Sequence, residues 1–464
     1  MTPLHRALRP FERPQYRVLI AALTASLLGA GIWSVAMVWQ VMALGGGPTQ
    51  LSAVAAAGSV GLLAAVLLGG AVADRVPQRR ILLAVELTKA LTVGAGGALA
   101  LAGLLQVGHL VVIALVIGLA DAFFYPAYTA LLPSVLPPDQ LLAANGLEGV
   151  LRPLLQQALG PGIAGVVIGI ASPEVGLLVV AGSQLLAAFG LTRLRTTPVR
   201  RESGLAGNPV AGVVRDVRDG FAYMVRTRWI LATLLFACVM LLLIMGPIQV
   251  LLPFAIRENV GGGAAQFAMA IAGFGIGGAV GSMTVASLRL PRRYLTVMIG
   301  MWGFSCLPLI VAGTSPHLWL IVACVAVCGA MGGAANVIWG TLLQRRVPPE
   351  MLGRVSSLDF FVSLALMPVS MAIAGPVGEA IGRTNVFLVA ALAPPVLSVL
   401  AIVLARLPAD EMAHPIDAVV SEEAPGGGEE DAYGERAAVA RAVAAGDEHA
   451  GDPTPAGTER EAMP

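Results

Sequence analysis

The chain alternates between long apolar runs and short polar breaks. A run of about 20 apolar residues crosses a bilayer as a helix, and twelve such runs can be laid out. They fall near 17–42, 51–73, 80–104, 109–133, 146–170 and 175–192, then near 229–253, 265–288, 294–313, 316–341, 355–376 and 384–406. The first is too long for the core of a secretory signal and no cleavage pattern follows it, so it counts as a spanning helix. Between the sixth and seventh runs lies a polar segment, 193–228, with eight arginines. The pattern predicts an all-α membrane protein of 12 transmembrane helices in two six-helix halves. Its parts are an N-terminal arm over 1–16, a half over 17–192, a linker over 193–228, a half over 229–406 and a tail over 407–464.

The halves read as copies. Residues 131–148, LLPSVLPPDQLLAANGLE, align with 342–359, LLQRRVPPEMLGRVSSLD, at a constant offset of 211. Leu131, Leu132, Pro137, Pro138, Leu141 and Leu147 repeat as Leu342, Leu343, Pro348, Pro349, Leu352 and Leu358, and the acids Glu148 and Asp359 also coincide. Two six-helix repeats related by an axis along the membrane normal imply a transporter with its site near the midplane between them.

Composition narrows the class. Of 464 residues 57% are hydrophobic and 12% charged, about half the charged share of a soluble domain. That excludes a cytoplasmic enzyme, a nucleic-acid binder and a secreted disulfide scaffold. The four cysteines (Cys238, Cys306, Cys324, Cys328) lie in apolar runs. Cys324 and Cys328 share a helix face, where packing is favoured over a soft metal site. With no GxxxxGK[ST] sequence, ATP hydrolysis is unsupported, and no metal or cofactor is expected.

Charge fixes the expected orientation. With the N-terminus cytoplasmic, the inner segments hold 21 basic residues and the outer loops only Arg257 and Arg383. The positive-inside rule then puts both termini in the cytoplasm. Residues 407–464 hold 14 acidic and 3 basic side chains amid Gly, Pro and Ala, the composition of a disordered acidic tail, in which a short helix over 433–445 can be accommodated.

After the second run comes GGAVADRVPQRRIL (69–82), with Gly70, Asp74, Arg75, Arg79 and Arg80 in register. This resembles the signature loop of the major facilitator superfamily, with Pro77 where a second glycine is usual. The resemblance implies a latch for the outward-facing state, in which Arg79 or Arg80 meets an acid such as Glu148, with Asp359 as its counterpart. LGPGIAG (159–165) resembles the superfamily's helix-5 exporter motif in Gly160, Pro161 and Gly165, although Gln156 replaces one upstream glycine. IGLADAFFYPAYTALLP, LPPDQLLAANGL and LLQRRVPPEMLGRV resemble the branch of the enterobactin exporter and of macrolide and multidrug efflux proteins, and the likeness runs over roughly 15–406.

Ionisable residues at membrane depth are functional suspects. Glu86 with Lys89, and Glu148 with Arg152, are spaced to pair on one helix face. Asp121 stands mid-span, and its counterpart at the offset is Gly332. A desolvated carboxylate there would exchange protons or attract a cation; the alternative is a structural acid paired with Arg152 or an amide. Tyr125 and Tyr128 follow on its face. By the resemblance, helices 1, 4, 7 and 10 line the cavity, which adds Trp33, Gln40, Gln249, Asn336 and Trp339 as candidates for contact with a substrate. The arginine that proton-coupled drug exporters often carry in helix 4 is replaced here by Ala114, so coupling rests on carboxylates.

The expected protein is a multi-pass transporter of a bacterial cell membrane, working as a monomer and not an enzyme. It would export amphipathic small molecules such as drugs, macrolides or siderophores by proton antiport. A lipid or lysolipid flippase and an importer or facilitator of a small polar nutrient are the alternatives.

Overall fold

A computed structural model describes residues 9–194, 209–288 and 290–415, all of whose regular elements are helical. Among them are 12 helices long and apolar enough to cross a membrane. In lipid every backbone polar group must find an internal partner, which a helix provides within itself.

The N-terminal half consists of α1 (Pro14–Ala43), α2 (Pro48–Arg75), α3 (Gln78–Leu101), α4 (Val107–Val135), α5 (Pro138–Pro153), α6 (Gly160–Ile170) and α7 (Pro173–Thr192). A π-helical turn, Leu154–Leu159, joins α5 to α6 as the fifth span. Pro161 has no N–H to return to the carbonyl four residues back, and the widened turn lies just ahead of it. After α8 (Pro209–Arg226) the C-terminal half repeats the plan: α9 (Arg228–Gly246), a π turn at Pro247–Leu251, α10 (Leu252–Val260), α11 (Ala264–Ser287), α12 (Tyr294–Phe304), α13 (Leu309–Thr314), α14 (Leu318–Arg346), α15 (Pro349–Leu364), α16 (Met367–Ile381) and α17 (Arg383–Leu404). Many helices start on a proline, where its fixed φ and missing N–H cost nothing.

Two readings of the sequence change in detail. The helices that carry the fifth and eleventh spans begin at Pro138 and Pro349, ahead of the spans themselves at Ala143 and Arg354, because their polar first turns are helical all the same. Residues assigned to the acidic tail from 407 onward include a further helix, α18 (Leu407–Ala413). Its Glu411 is buried and accepts from the backbone N–H of Leu295 (2.8 Å) and Thr296 (3.2 Å), the open start of α12. The segment 433–445 lies outside the described residues.

Within each half the second and fourth spans pack closely, α2 on α4 and α11 on α14. The halves meet chiefly along α2 with α16 and along α6 with α11. Both seams include the face opposite the linker, here the far face. There Gly375 N–H donates to Ser52 Oγ at 2.7 Å, and Glu379 accepts from Thr49 N–H (3.2 Å) and Thr49 Oγ1 (2.8 Å). A Cβ on Gly375 would come within 2.3 Å of the Pro48 carbonyl oxygen, so only glycine permits this approach.

Candidate functional site

Among the described residues, three groups of polar side chains inside the bundle include candidates named above. The first joins three spans of the N-terminal half. Lys89, on α3, is buried among apolar side chains; its Nζ donates to Asp121 Oδ1 on α4 at 3.0 Å and lies 3.8 Å from Glu86 Oε1. Ser26 on α1 donates to the same Glu86 oxygen at 2.7 Å, and the ammonium sits 5.4 Å from the centre of the Phe124 ring. A buried ammonium is tolerable only with such compensation. The spacing-based pairing of Glu86 with Lys89 is present. Asp121, for which Arg152 or an amide was the expected structural partner, takes Lys89 instead. Its side chain remains 41% exposed, so this carboxylate is the accessible end of the group.

The second group lies toward the linker face. Arg152 Nη2 donates to Glu148 Oε1 at 2.6 Å, as the four-residue spacing predicts, and the guanidinium stacks 5.2 Å from the Tyr125 ring. These residues, with Thr129 and Asn145, line a cavity of about 570 Å³. Tyr125 is exposed, whereas Tyr128 is buried against Phe124 and its hydroxyl finds no partner among the described residues.

The third group is in the C-terminal half. Trp339 Nε1 donates to Asp359 Oδ2 at 3.0 Å and Ser363 Oγ lies 3.4 Å from Oδ1. Asn336, Trp302 and Ser305 join them around a cavity of about 320 Å³ between α9, α12, α14 and α15. Asn336 and Trp339 were expected to face a cavity together; the companionship of Asp359, Ser363 and Trp302 was not foreseen.

The remaining candidates are scattered. Trp33 is half-buried on α1, Gln40 is buried and its Oε1 finds no partner among the described residues, and Gln249 is exposed in the π turn of the seventh span. Gly160 packs on Gly31 of α1 and Gly165 on Ala265 and Ala268 of α11, with Pro161 buried between them, so the helix-5 motif forms a close helix crossing. In the signature loop, Arg79 donates from Nε to the Leu191 carbonyl at 2.8 Å and from Nη2 to that of Thr192, closing the end of α7. Glu148 is not its partner in this conformation. Arg80 is exposed. Gly70, Asp74 and Arg75 lie in the last turns of α2, and the side chains of Asp74 and Arg75 are outside what the structure describes. Among the described residues no cluster of His, Cys, Asp and Glu suits a metal ion.

Comparison with known proteins agrees with this architecture. The chain is 30% identical to the multidrug efflux pump Tap of Mycolicibacterium fortuitum over 409 residues, covering 85% of this chain and 96% of that one. It is 22% identical to macrolide efflux protein A of Streptococcus pyogenes over 386 residues, covering 81% and 92%. Among solved structures, the nucleoside transporter NupG superposes with a TM-score of 0.63 at 13% identity, covering 83% of this chain and 98% of that one, a likeness of fold alone. The family model described as transmembrane secretion effector matches residues 5–425. With twelve apolar spans in two packed halves, the chain belongs to that family of the major facilitator superfamily, as a multi-pass transporter of the cell membrane and not an enzyme.

Proposed function

We propose that the protein is a secondary active exporter of amphipathic small molecules, drugs or macrolides first and siderophores within the same chemical range, driven by proton antiport. The observation that carries the exporter reading is the likeness, over nearly their full lengths, to proteins named as multidrug and macrolide efflux pumps. The positive-inside distribution makes the linker face cytoplasmic, so the hydrogen-bonded seam of Gly375, Glu379, Thr49 and Ser52 closes the outer face. Cargo enters from the linker face and leaves when this seam parts.

Asp121 is our candidate for coupling. A proton on its carboxylate removes one of the two negative partners of Lys89, which changes the electrostatics of three spans at once. The signature loop (Gly70, Asp74, Arg75, Arg79, Arg80) with Glu148 serves as the latch that forms when the cytoplasmic ends close. Asp359, first grouped with that latch, is better placed to contact cargo, since its carboxylate borders a cavity. One copy of the chain contains every residue this scheme uses.

The test is uptake of dyes and antibiotics into inside-out vesicles under an imposed proton gradient, comparing wild type with Asp121→Asn. Gradient-driven uptake should fall by roughly tenfold or more in the variant, the scale on which one acid–base group acts. Uptake that survives the substitution retains the exporter and discards Asp121 as coupling site. Absence of uptake for every compound, with translocation of a labelled lipid or a small nutrient instead, overturns the exporter reading.

A further inference from the structure

The internal duplication conceals a chemical asymmetry. At the offset of 211 residues Tyr128 corresponds to Trp339, Glu148 to Asp359 and Arg152 to Ser363. In the N-terminal half the acid at this place is neutralised from its own helix, with Arg152 at 2.6 Å. In the C-terminal half a serine stands where that arginine would be. Asp359 receives one indole N–H and one hydroxyl, and among the described residues no Lys, Arg or His forms an ion pair with it. Arg346, on the same helix as Trp339, is engaged by Asp410 at 2.7 Å and by the face of Trp229. The other acids at this depth all have a cation nearby: Glu86 at 3.8 Å, Asp121 at 3.0 Å and Glu148 at 2.6 Å.

We propose that Asp359 anchors a binding site, inside the C-terminal half, for amphipathic cations: compounds with one ammonium or phosphonium centre on an apolar body. The inference rests on the exporter reading and narrows its cargo by charge. A carboxylate that accepts from only two neutral donors has lone pairs to spare for a cation. In a low-dielectric cavity such a charge strongly attracts a monocation and gives an uncharged compound little. The walls suit the rest of the molecule. Trp302 and Trp339, whose ring centres are 6.3 Å apart, both line the cavity and bring the aromatic surface that organic cations favour. Met240 and Phe274 supply adaptable apolar surface. At about 320 Å³ the cavity is within the range of small-molecule sites. The bound cation would take the place that Arg152 fills in the other half.

The experiment measures equilibrium binding of methyltriphenylphosphonium to the purified full-length transporter, with triphenylphosphine oxide as a nearly isosteric uncharged control. Asp359→Asn should weaken the cation by roughly tenfold or more, the equivalent of at least about 1.4 kcal/mol, and leave the oxide within about twofold. Asp359→Glu should retain the cation. Ser363→Arg, which recreates the N-terminal arrangement, should reject it as Asp359→Asn does; if that larger side chain prevents folding, the near-isosteric Asn variant carries the test. Equal cation affinity in wild type and Asp359→Asn overturns the anchor, as does parallel loss of both probes, which would assign Asp359 to packing. Wild type that exports uncharged compounds and binds no phosphonium also overturns it while the exporter reading stands. Vesicles that transport nothing remove both.

Discussion

Lys89 shows how a single side chain ties the N-terminal half together. Its removal as Lys89→Met leaves Glu86 buried with only the Ser26 hydroxyl for compensation. Breaking one partner out of a buried pair costs roughly 3–5 kcal/mol, so a clear drop in melting temperature in detergent is expected. Arg152→Met should cost less, because the Arg152 side chain is 31% exposed and water can screen what remains. A Lys89→Met protein that melts with wild type would show that the ammonium contributes little to the fold. The pairs within one helix were legible in the sequence because three- and four-residue spacings bring side chains together. The bond from Lys89 to Asp121 was not, since it depends on how α3 lies against α4. The partners of Arg79 in this conformation were hidden for a related reason: they are backbone carbonyls at the end of α7, which no residue type announces.

At the level of elements, the apolar runs located every span but not where each helix that carries one begins. Proline pairs at 137–138 and 348–349 mark true helix starts, while the amphipathic turns after them escape a search for hydrophobicity. The short helix α18 was hidden by the acidic composition around it, and the value of Glu411 arises only where it meets the free N–H groups opening α12. Glu411→Ala should destabilise the protein by about 0.5–2 kcal/mol, the range for losing a helix cap, as detergent melting curves would register. Gly375 makes a sharper prediction. Gly375→Val sets side-chain atoms against the Pro48 carbonyl and should loosen the α2–α16 seam. Spin labels at Gln50→Cys and Ala380→Cys, in a background without the native cysteines, should move apart by several ångströms relative to the Gly375 protein. An unchanged distance distribution would mean that the seam absorbs the added bulk.

For the whole molecule, the repeat at 211 residues foretold the two-half plan. Its use for the chemistry lay in where the copies differ: Asp121 against Gly332, and Arg152 against Ser363. The C-terminal cavity was only half visible in advance. Asn336 and Trp339 share a helix face, but their meeting with Trp302, Asp359 and Ser363 requires three separate spans to converge.

The burial of Lys89 has a practical consequence, because it is the only lysine in the chain. Acetylating reagents that attack ε-amines would meet no such target while the bundle is intact. The appearance of a single acetyl mass on the peptide bearing Lys89 would therefore time the opening of the N-terminal half, a chemical clock already present in the natural sequence.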